Sequence, residues 1–164
     1  MCQCCPTTSN FLRNLCCCFA AEDSEENGRL LTKSIYVTTS ESQKHCLDAF
    51  RFFKNKYLSS CNLKIKDLRV IENKVIIVCP KTSRFQDDVT DTLKDFQIRG
   101  QPNMMFVVMH NCERGVMPEN LITEKTDRRV TNFTNVLYSD SEQCYDSPIN
   151  NEAADDIKRF IRSG

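Results

Sequence analysis

The sequence predicts an α/β fold: a small three-layer sandwich with a mostly parallel sheet, preceded by a disordered Cys-rich tail. Two unbroken apolar runs, Val75–Cys79 and Met104–Met109, indicate strands with apolar surroundings on both faces, because a half-buried strand would alternate apolar and polar residues. Between these runs, Val89, Leu93 and Phe96 recur at helical spacing. A strand, a helix and a second strand in this order are typical of a parallel βαβ unit covered on both sides.

The elements before this unit follow from local patterns. The β-branched and aromatic segment 34–38 predicts a first strand. Residues Ser40 to Gln43 have the form of a helix-capping box. Apolar residues between Leu47 and Leu58 then recur every three or four positions, which predicts a helix over 41–58. Alternation between Leu63 and Ile71 indicates a short strand.

Sequence patterns also predict the end of the first apolar run and the elements that follow it. Pro80 ends its strand, because proline cannot donate to a sheet ladder. The elements predicted next are a helix over 87–96, a strand over 103–110, a long polar loop over 113–129, a strand over 131–138 and a final helix after Pro148. The resulting order indicates a flavodoxin-like or Rossmann-like sandwich.

Composition excludes several classes of function. Lysine and arginine together number 22, as do aspartate and glutamate, so no nucleic-acid partner is expected. No apolar run approaches the ~20 residues that a membrane-spanning helix needs. The chain has four glycines and neither a G-x-G-x-x-G nor a G-x-x-x-x-G-K-S/T motif, so we expect no dinucleotide or P-loop nucleotide site and no cofactor.

Cysteines are concentrated at the N-terminus. Of the eleven, six lie in the first 18 residues: Cys2, Cys4, Cys5, Cys16, Cys17 and Cys18. The other five are scattered singly within or beside apolar segments, where a free cysteine behaves as a small hydrophobe. Because the domain has long apolar strands of its own, we read a reducing, intracellular compartment rather than a disulfide scaffold.

The six N-terminal cysteines predict a lipid anchor. They flank a short segment with Phe11, Leu12, Leu15 and Phe19 at helical spacing, and such cysteines are candidates for S-palmitoylation. Two or more acyl chains give stable membrane binding. The alternatives are a soft-metal site and a tail without function. We therefore predict an acylated anchor over residues 1–20, an acidic linker over 21–33 and an α/β domain over 34–164, held at the cytoplasmic face of a membrane.

A second candidate site lies where the predicted parallel strands end, since ligands of such sheets bind there. Lys81, Thr82, Ser83 and Arg84 form a loop with two cations and two hydroxyls ahead of a helix, which suits either an anion or simple helix capping. His110 ends the neighbouring strand. Cys79 could meet it as a nucleophile, but an apolar run raises a thiol pKa, so we interpret Cys79 as a structural cysteine.

The run from Val75 to Leu93, with Cys79-Pro80 and Ser83-Arg84, resembles a family of small fish proteins with a Rossmann-like or flavodoxin-like domain. The segments Val107–His110 and Asn150–Phe160 are similar to the same family. The resemblance covers about residues 74–161. It implies a small Rossmann-like fold and no particular activity.

Two hypotheses of function follow. The first is a membrane-tethered, non-catalytic module that binds an unidentified protein partner. The second is a small hydrolase or a protein that binds an anion such as phosphate, using Ser83, Arg84 and His110. Convergence of these three residues in one concave pocket would favour the second, whereas a filled strand-end face with Arg84 in solvent would favour the first.

Overall fold

The fold is a parallel sheet between two helical layers. We describe it from a computed structural model, which covers residues 34–123, 130 and 132–163. In these ranges the elements are, in chain order, β1 (Ile35–Thr38), α1 (His45–Tyr57), β2 (Leu63–Ile65), β3 (Val70–Ile71), β4 (Val75–Pro80), α2 (Phe85–Leu93), β5 (Gln97–Ile98), β6 (Met104–Asn111), β7 (Asn132–Tyr138) and α3 (Pro148–Arg162). The predicted acylated anchor and acidic linker, residues 1–33, lie outside the described ranges.

Five strands form the main sheet in the order β2-β1-β4-β6-β7, and every neighbouring pair is parallel. Counted within this sheet alone, the order is 2-1-3-4-5, which is that of the flavodoxin-like fold. The predicted α/β sandwich with a parallel sheet is therefore confirmed. The short strands β3 and β5 pair with each other in a separate parallel ribbon.

The two apolar runs lie side by side in the centre of the sheet. Ile77 of β4 pairs with Phe106 of β6, and Val75 pairs with Met104. Val75 is 2% exposed, and Ile77, Phe106 and Val108 are fully buried. The prediction that these residues are buried in adjacent parallel strands is confirmed, because both faces of these strands are covered by helices.

Alternate residues of the strands face two separate apolar clusters. On one face, α1 and α3 pack over Ile76, Val78 and Val107. On the other face, α2 packs over Ile77 and Phe106. This division explains why the central strands show no polar alternation: each side chain, odd or even, enters a core.

Several local predictions need correction. The capping box is wrong: residues Glu41–Gln43 form a 3-10 turn before α1, and the Ser40 side chain makes no capping hydrogen bond. The Gln43 side chain instead accepts a hydrogen bond of 2.8 Å from the Thr92 hydroxyl of α2. The helix predicted over 87–96 ends earlier, because α2 ends at Leu93 and Phe96 lies beyond it. The segment between 63 and 71 forms two strands where one was expected: β2 belongs to the main sheet and β3 to the ribbon.

The final helix begins as the sequence suggests, and its first turn secures the sheet edge. Ser147 caps α3 by accepting the Asn150 N–H at 3.1 Å, and Pro148 occupies the first turn. The fully buried Asn150 amide binds both backbone groups of Leu137 in β7: Oδ1 accepts its N–H at 2.7 Å, and Nδ2 donates to its carbonyl at 3.0 Å.

None of the helices within the described ranges has the length and apolar character needed to cross a bilayer.

We expect Asn150→Ala to lower the free energy of unfolding by about 1–3 kcal/mol, because it leaves buried backbone groups of Leu137 and Tyr145 without partners. The measurement is urea denaturation followed by circular dichroism. The control is Asn151→Ala, an exposed neighbour on the same helix, which we expect to change stability by no more than about 0.5 kcal/mol. Equal effects of the two substitutions would contradict the assigned role of Asn150.

Candidate functional site

The C-terminal ends of β4 and β6 border an open depression of about 640 Å³. It is lined by all five residues that the sequence nominates for ligand binding: Lys81, Thr82, Ser83, Arg84 and His110. Parallel strands place their carboxyl ends at the same edge of the sheet, which is why residues almost thirty positions apart meet here. Asp87 and Glu119 also line the depression, so its charge is mixed.

The carboxylate of Asp88 accepts hydrogen bonds from the 81–84 loop. Asp88 of α2 is 3% exposed. Its Oδ1 accepts the Thr82 hydroxyl at 2.6 Å, the Ser83 hydroxyl at 2.9 Å and the Ser83 N–H at 3.0 Å. The Lys81 ammonium lies 3.7 Å from Oδ2 and donates to the Ser83 carbonyl. The loop is therefore an anion cradle whose anion is Asp88.

The loop before α2 is thus held by a residue of that helix, while the helix itself has no side-chain cap. Arg84 occupies the N-cap position without a side-chain capping bond, and its side chain is exposed. Asp88 lies on the buried face of α2 together with Phe85 and Thr92. The sequence holds a signal for the position of Asp88, since its spacing of three and four residues from Phe85 and Thr92 places it on the apolar side of the helix.

His110 is held in one orientation by a chain of hydrogen bonds. The Asn135 amide pairs with the backbone of Ile122, donating to its carbonyl at 2.9 Å and accepting its N–H at 3.1 Å. This pairing fixes Asn135 Oδ1 as an acceptor. The His110 Nε2, 2.9 Å from that oxygen, therefore carries the proton and donates, and Nδ1 holds the lone pair of the neutral ring.

The electrostatic setting keeps His110 neutral. It is 4% exposed, and burial lowers the pKa of its imidazole. The hydrogen bond to Asn135 opposes this effect, and the Lys81 ammonium adds to it. A neutral, buried histidine adds no positive charge to the depression that it lines.

We expect the free energy of unfolding to fall as the pH is lowered below about 6.5, the ordinary pKa of histidine. Because the pKa of His110 is lowered in the folded state, the unfolded chain binds this proton first. The stability due to neutral His110 is thus complete above pH 6.5 and is lost as the pH falls towards the folded-state pKa.

Urea denaturation at a series of pH values measures this dependence. His110→Gln, whose amide can still donate to Asn135, should flatten the dependence. His45→Gln, at the exposed start of α1, is the control and should keep it. Identical pH dependence in the wild type and in both variants would contradict the role given to His110.

Cys79 has the environment of a structural cysteine. It is fully buried in β4, and burial together with the charge of Asp88 raises the pKa of its thiol. In the sheet, Cys79 pairs with Val108 rather than with His110. Cys112 also borders the depression, and its Sγ lies 3.1 Å from the Tyr145 hydroxyl. The predicted burial of Cys79 is confirmed.

The loop that follows β1 is also engaged internally. The Thr39 hydroxyl donates to the Val78 carbonyl at 2.7 Å, and the Thr38 hydroxyl accepts the Leu68 N–H at 3.3 Å.

Within the described ranges, no three His, Cys, Asp or Glu side chains converge in a way that could hold a metal ion. Comparison of the chain with known protein families, curated proteins and solved structures finds no match. The resemblance to the fish family stays a prediction.

Proposed function

We propose that this protein is a lipid-anchored, non-catalytic interaction module, held at the cytoplasmic face of a membrane by acylated cysteines among Cys2, Cys4, Cys5, Cys16, Cys17 and Cys18. The observation that carries the non-catalytic part is the occupation of the 81–84 loop by Asp88. The hydroxyls that would bind or attack a substrate already donate to a carboxylate, and the thiol of the central strand is buried.

The anchor is supported by the composition of the tail. Six cysteines in 18 residues offer several acylation sites at one terminus, away from the folded domain. The domain would then act by presenting its surface to a protein partner near the membrane. Exposed apolar side chains suited to contacts of this kind are Phe52 on α1 and Val116 and Met117 after β6, which are 51%, 58% and 67% exposed.

Affinity capture of the intact protein from membranes tests this proposal. The matched comparison is the chain without residues 1–20, which keeps the whole α/β domain. We expect the intact protein to recover a partner that the shortened chain recovers poorly, because only the former is concentrated at the membrane. Equal recovery by both forms from the soluble fraction would overturn the tethered arrangement.

One observation favours a second candidate, the binding of an anion such as phosphate. Lys81, Ser83, Arg84 and His110 do line one depression, and Arg84 is exposed and makes no ion pair within the described residues. Titration with inorganic phosphate, followed by the NMR signals of Ser83 and Arg84, distinguishes the candidates. Saturable shifts that Arg84→Ala abolishes would support anion binding, whereas no shift would support the non-catalytic module.

A further inference from the structure

The outer edge of β7 closes the sheet on one side, and its backbone groups alternate in direction. The Tyr138 carbonyl points inwards and accepts the Cys112 N–H at 2.8 Å. The backbone groups of Leu137 point outwards to Asn150. By the same alternation, the N–H and carbonyl groups of Phe133 and Asn135 point outwards, and the described residues offer them no backbone partner.

A groove follows this edge. It consists of two depressions of about 260 Å³ and 390 Å³ that share Phe133 and Asp156 as lining residues. Three consecutive residues of β7, Phe133 to Asn135, line the larger one, so the strand backbone borders it. We call the two depressions the edge groove. One wall is formed by α3 and its C-cap residue: Ile149, Glu152, Asp156, Arg159, Phe160 and Ser163. The segment from Leu121 to Thr123 also borders the larger depression.

Charge along this wall changes sign from one end to the other. Glu152 lies near the beginning of α3 and Arg159 near its end. Asp156, between them, accepts the Thr134 hydroxyl at 2.9 Å and is paired with Arg159. A helix with acid at one end and base at the other is complementary to an antiparallel copy of itself, because each Glu152 then faces an Arg159.

We propose that two copies of this chain associate through the edge groove, with the two β7 strands antiparallel across a two-fold axis. Phe133 of each copy faces Asn135 of the other, and their outward N–H and carbonyl groups form four hydrogen bonds. The two α3 helices lie antiparallel beside them, with Glu152 against Arg159. The inference rests on the proposed function and gives the module a second copy of itself as one partner, bound at a surface other than Phe52, Val116 and Met117.

The edge favours a second copy over an unrelated extended peptide. Asn150 closes the edge at Leu137, so only Phe133 and Asn135 are left to pair within the described strand. A peptide would gain little from so short an edge. A second copy adds the helix contacts on both sides of the axis. Self-association also doubles the number of N-terminal cysteines on one particle, which strengthens membrane binding.

Sedimentation of the full, unacylated chain under reducing conditions, at low and at high concentration, tests the proposal. We expect a dimer whose dissociation constant rises by about tenfold or more in Glu152→Arg and in Arg159→Glu, since each places like charges opposite one another. The double variant E152R/R159E restores the complementary pairs and should recover the dimer. Glu119→Arg, in the strand-end depression, is the control and should leave it unchanged.

Amide exchange measured by NMR locates the interface. The N–H groups of Phe133 and Asn135 should become protected as the concentration rises, while that of Leu137, already bonded to Asn150, should not change. A monomer at high concentration, or a dimer indifferent to both charge reversals, would overturn the proposal. Protection of Phe133 and Asn135 already at the lowest concentration would also overturn it, because another segment of the same chain would then cover the edge. Failure of the membrane tether leaves this test unaffected, since it uses unacylated protein in solution.

Discussion

Ile77→Ala is expected to lower the free energy of unfolding by about 2–5 kcal/mol. Ile77 is fully buried in the central strand β4, between Thr38 of β1 and Phe106 of β6. Its side chain belongs to the cluster that α2 covers. Truncation removes apolar area from that cluster and leaves a cavity that closely packed neighbours cannot fully close. Urea or thermal denaturation measures the loss.

Ile98→Ala is the matched control for this substitution. Ile98 lies in the short ribbon strand β5 and is 40% exposed. The same change of side chain should therefore cost less than about 1 kcal/mol. Similar losses for Ile77→Ala and Ile98→Ala would show that the centre of the sheet is not packed as described.

Replacement of all six N-terminal cysteines by serine is expected to release the protein from membranes almost completely. Each buried CH₂ of an acyl chain contributes about 0.8 kcal/mol, and two chains suffice for stable anchoring. The loss should therefore be graded. The triple variant of Cys2, Cys4 and Cys5 and the triple variant of Cys16, Cys17 and Cys18 should each remain bound through the other cluster.

Cell fractionation of the wild type and these variants gives the measurement, and hydroxylamine cleavage of thioesters gives an independent chemical check. Cys61→Ser, within the folded domain and half-buried, is the control and should remain with the membrane. Retention of the six-serine variant and of the hydroxylamine-treated protein would rule out acylation as the anchor. A wild type found wholly in the soluble fraction would direct attention to the metal hypothesis for the same cysteines.

The elements that the sequence predicted best are those whose pattern records burial directly. The runs around Ile77 and Phe106 contain no polar residue, and they form most of the adjacent inner strands β4 and β6. The capping box expected from Ser40 to Gln43 does not form, because that motif is defined by residue type alone and takes no account of tertiary contacts. In the fold, Gln43 lies within reach of Thr92, and this contact with α2 replaces the local capping bond.

The position of the candidate site could be predicted from the sequence, whereas the internal partner of its loop could not. That Lys81 to Arg84 and His110 share one depression follows from the parallel arrangement of β4 and β6. That the loop is already occupied does not follow, because Asp88 resembles an ordinary acidic residue in the first turns of a helix. Its burial depends on the rotation of α2 against the sheet, which a single sequence does not specify.

The sequence by itself determined the fold class, the central βαβ unit and the concentration of cysteines at one end of the chain, since these depend on composition and on short-range periodicity. Only the tertiary structure decided the strand order, the occupation of the 81–84 loop and the tautomer of His110. The last depends on Asn135, 25 residues away, and on the backbone of Ile122. Contacts of this kind arise when distant segments pack together, and no local pattern records them.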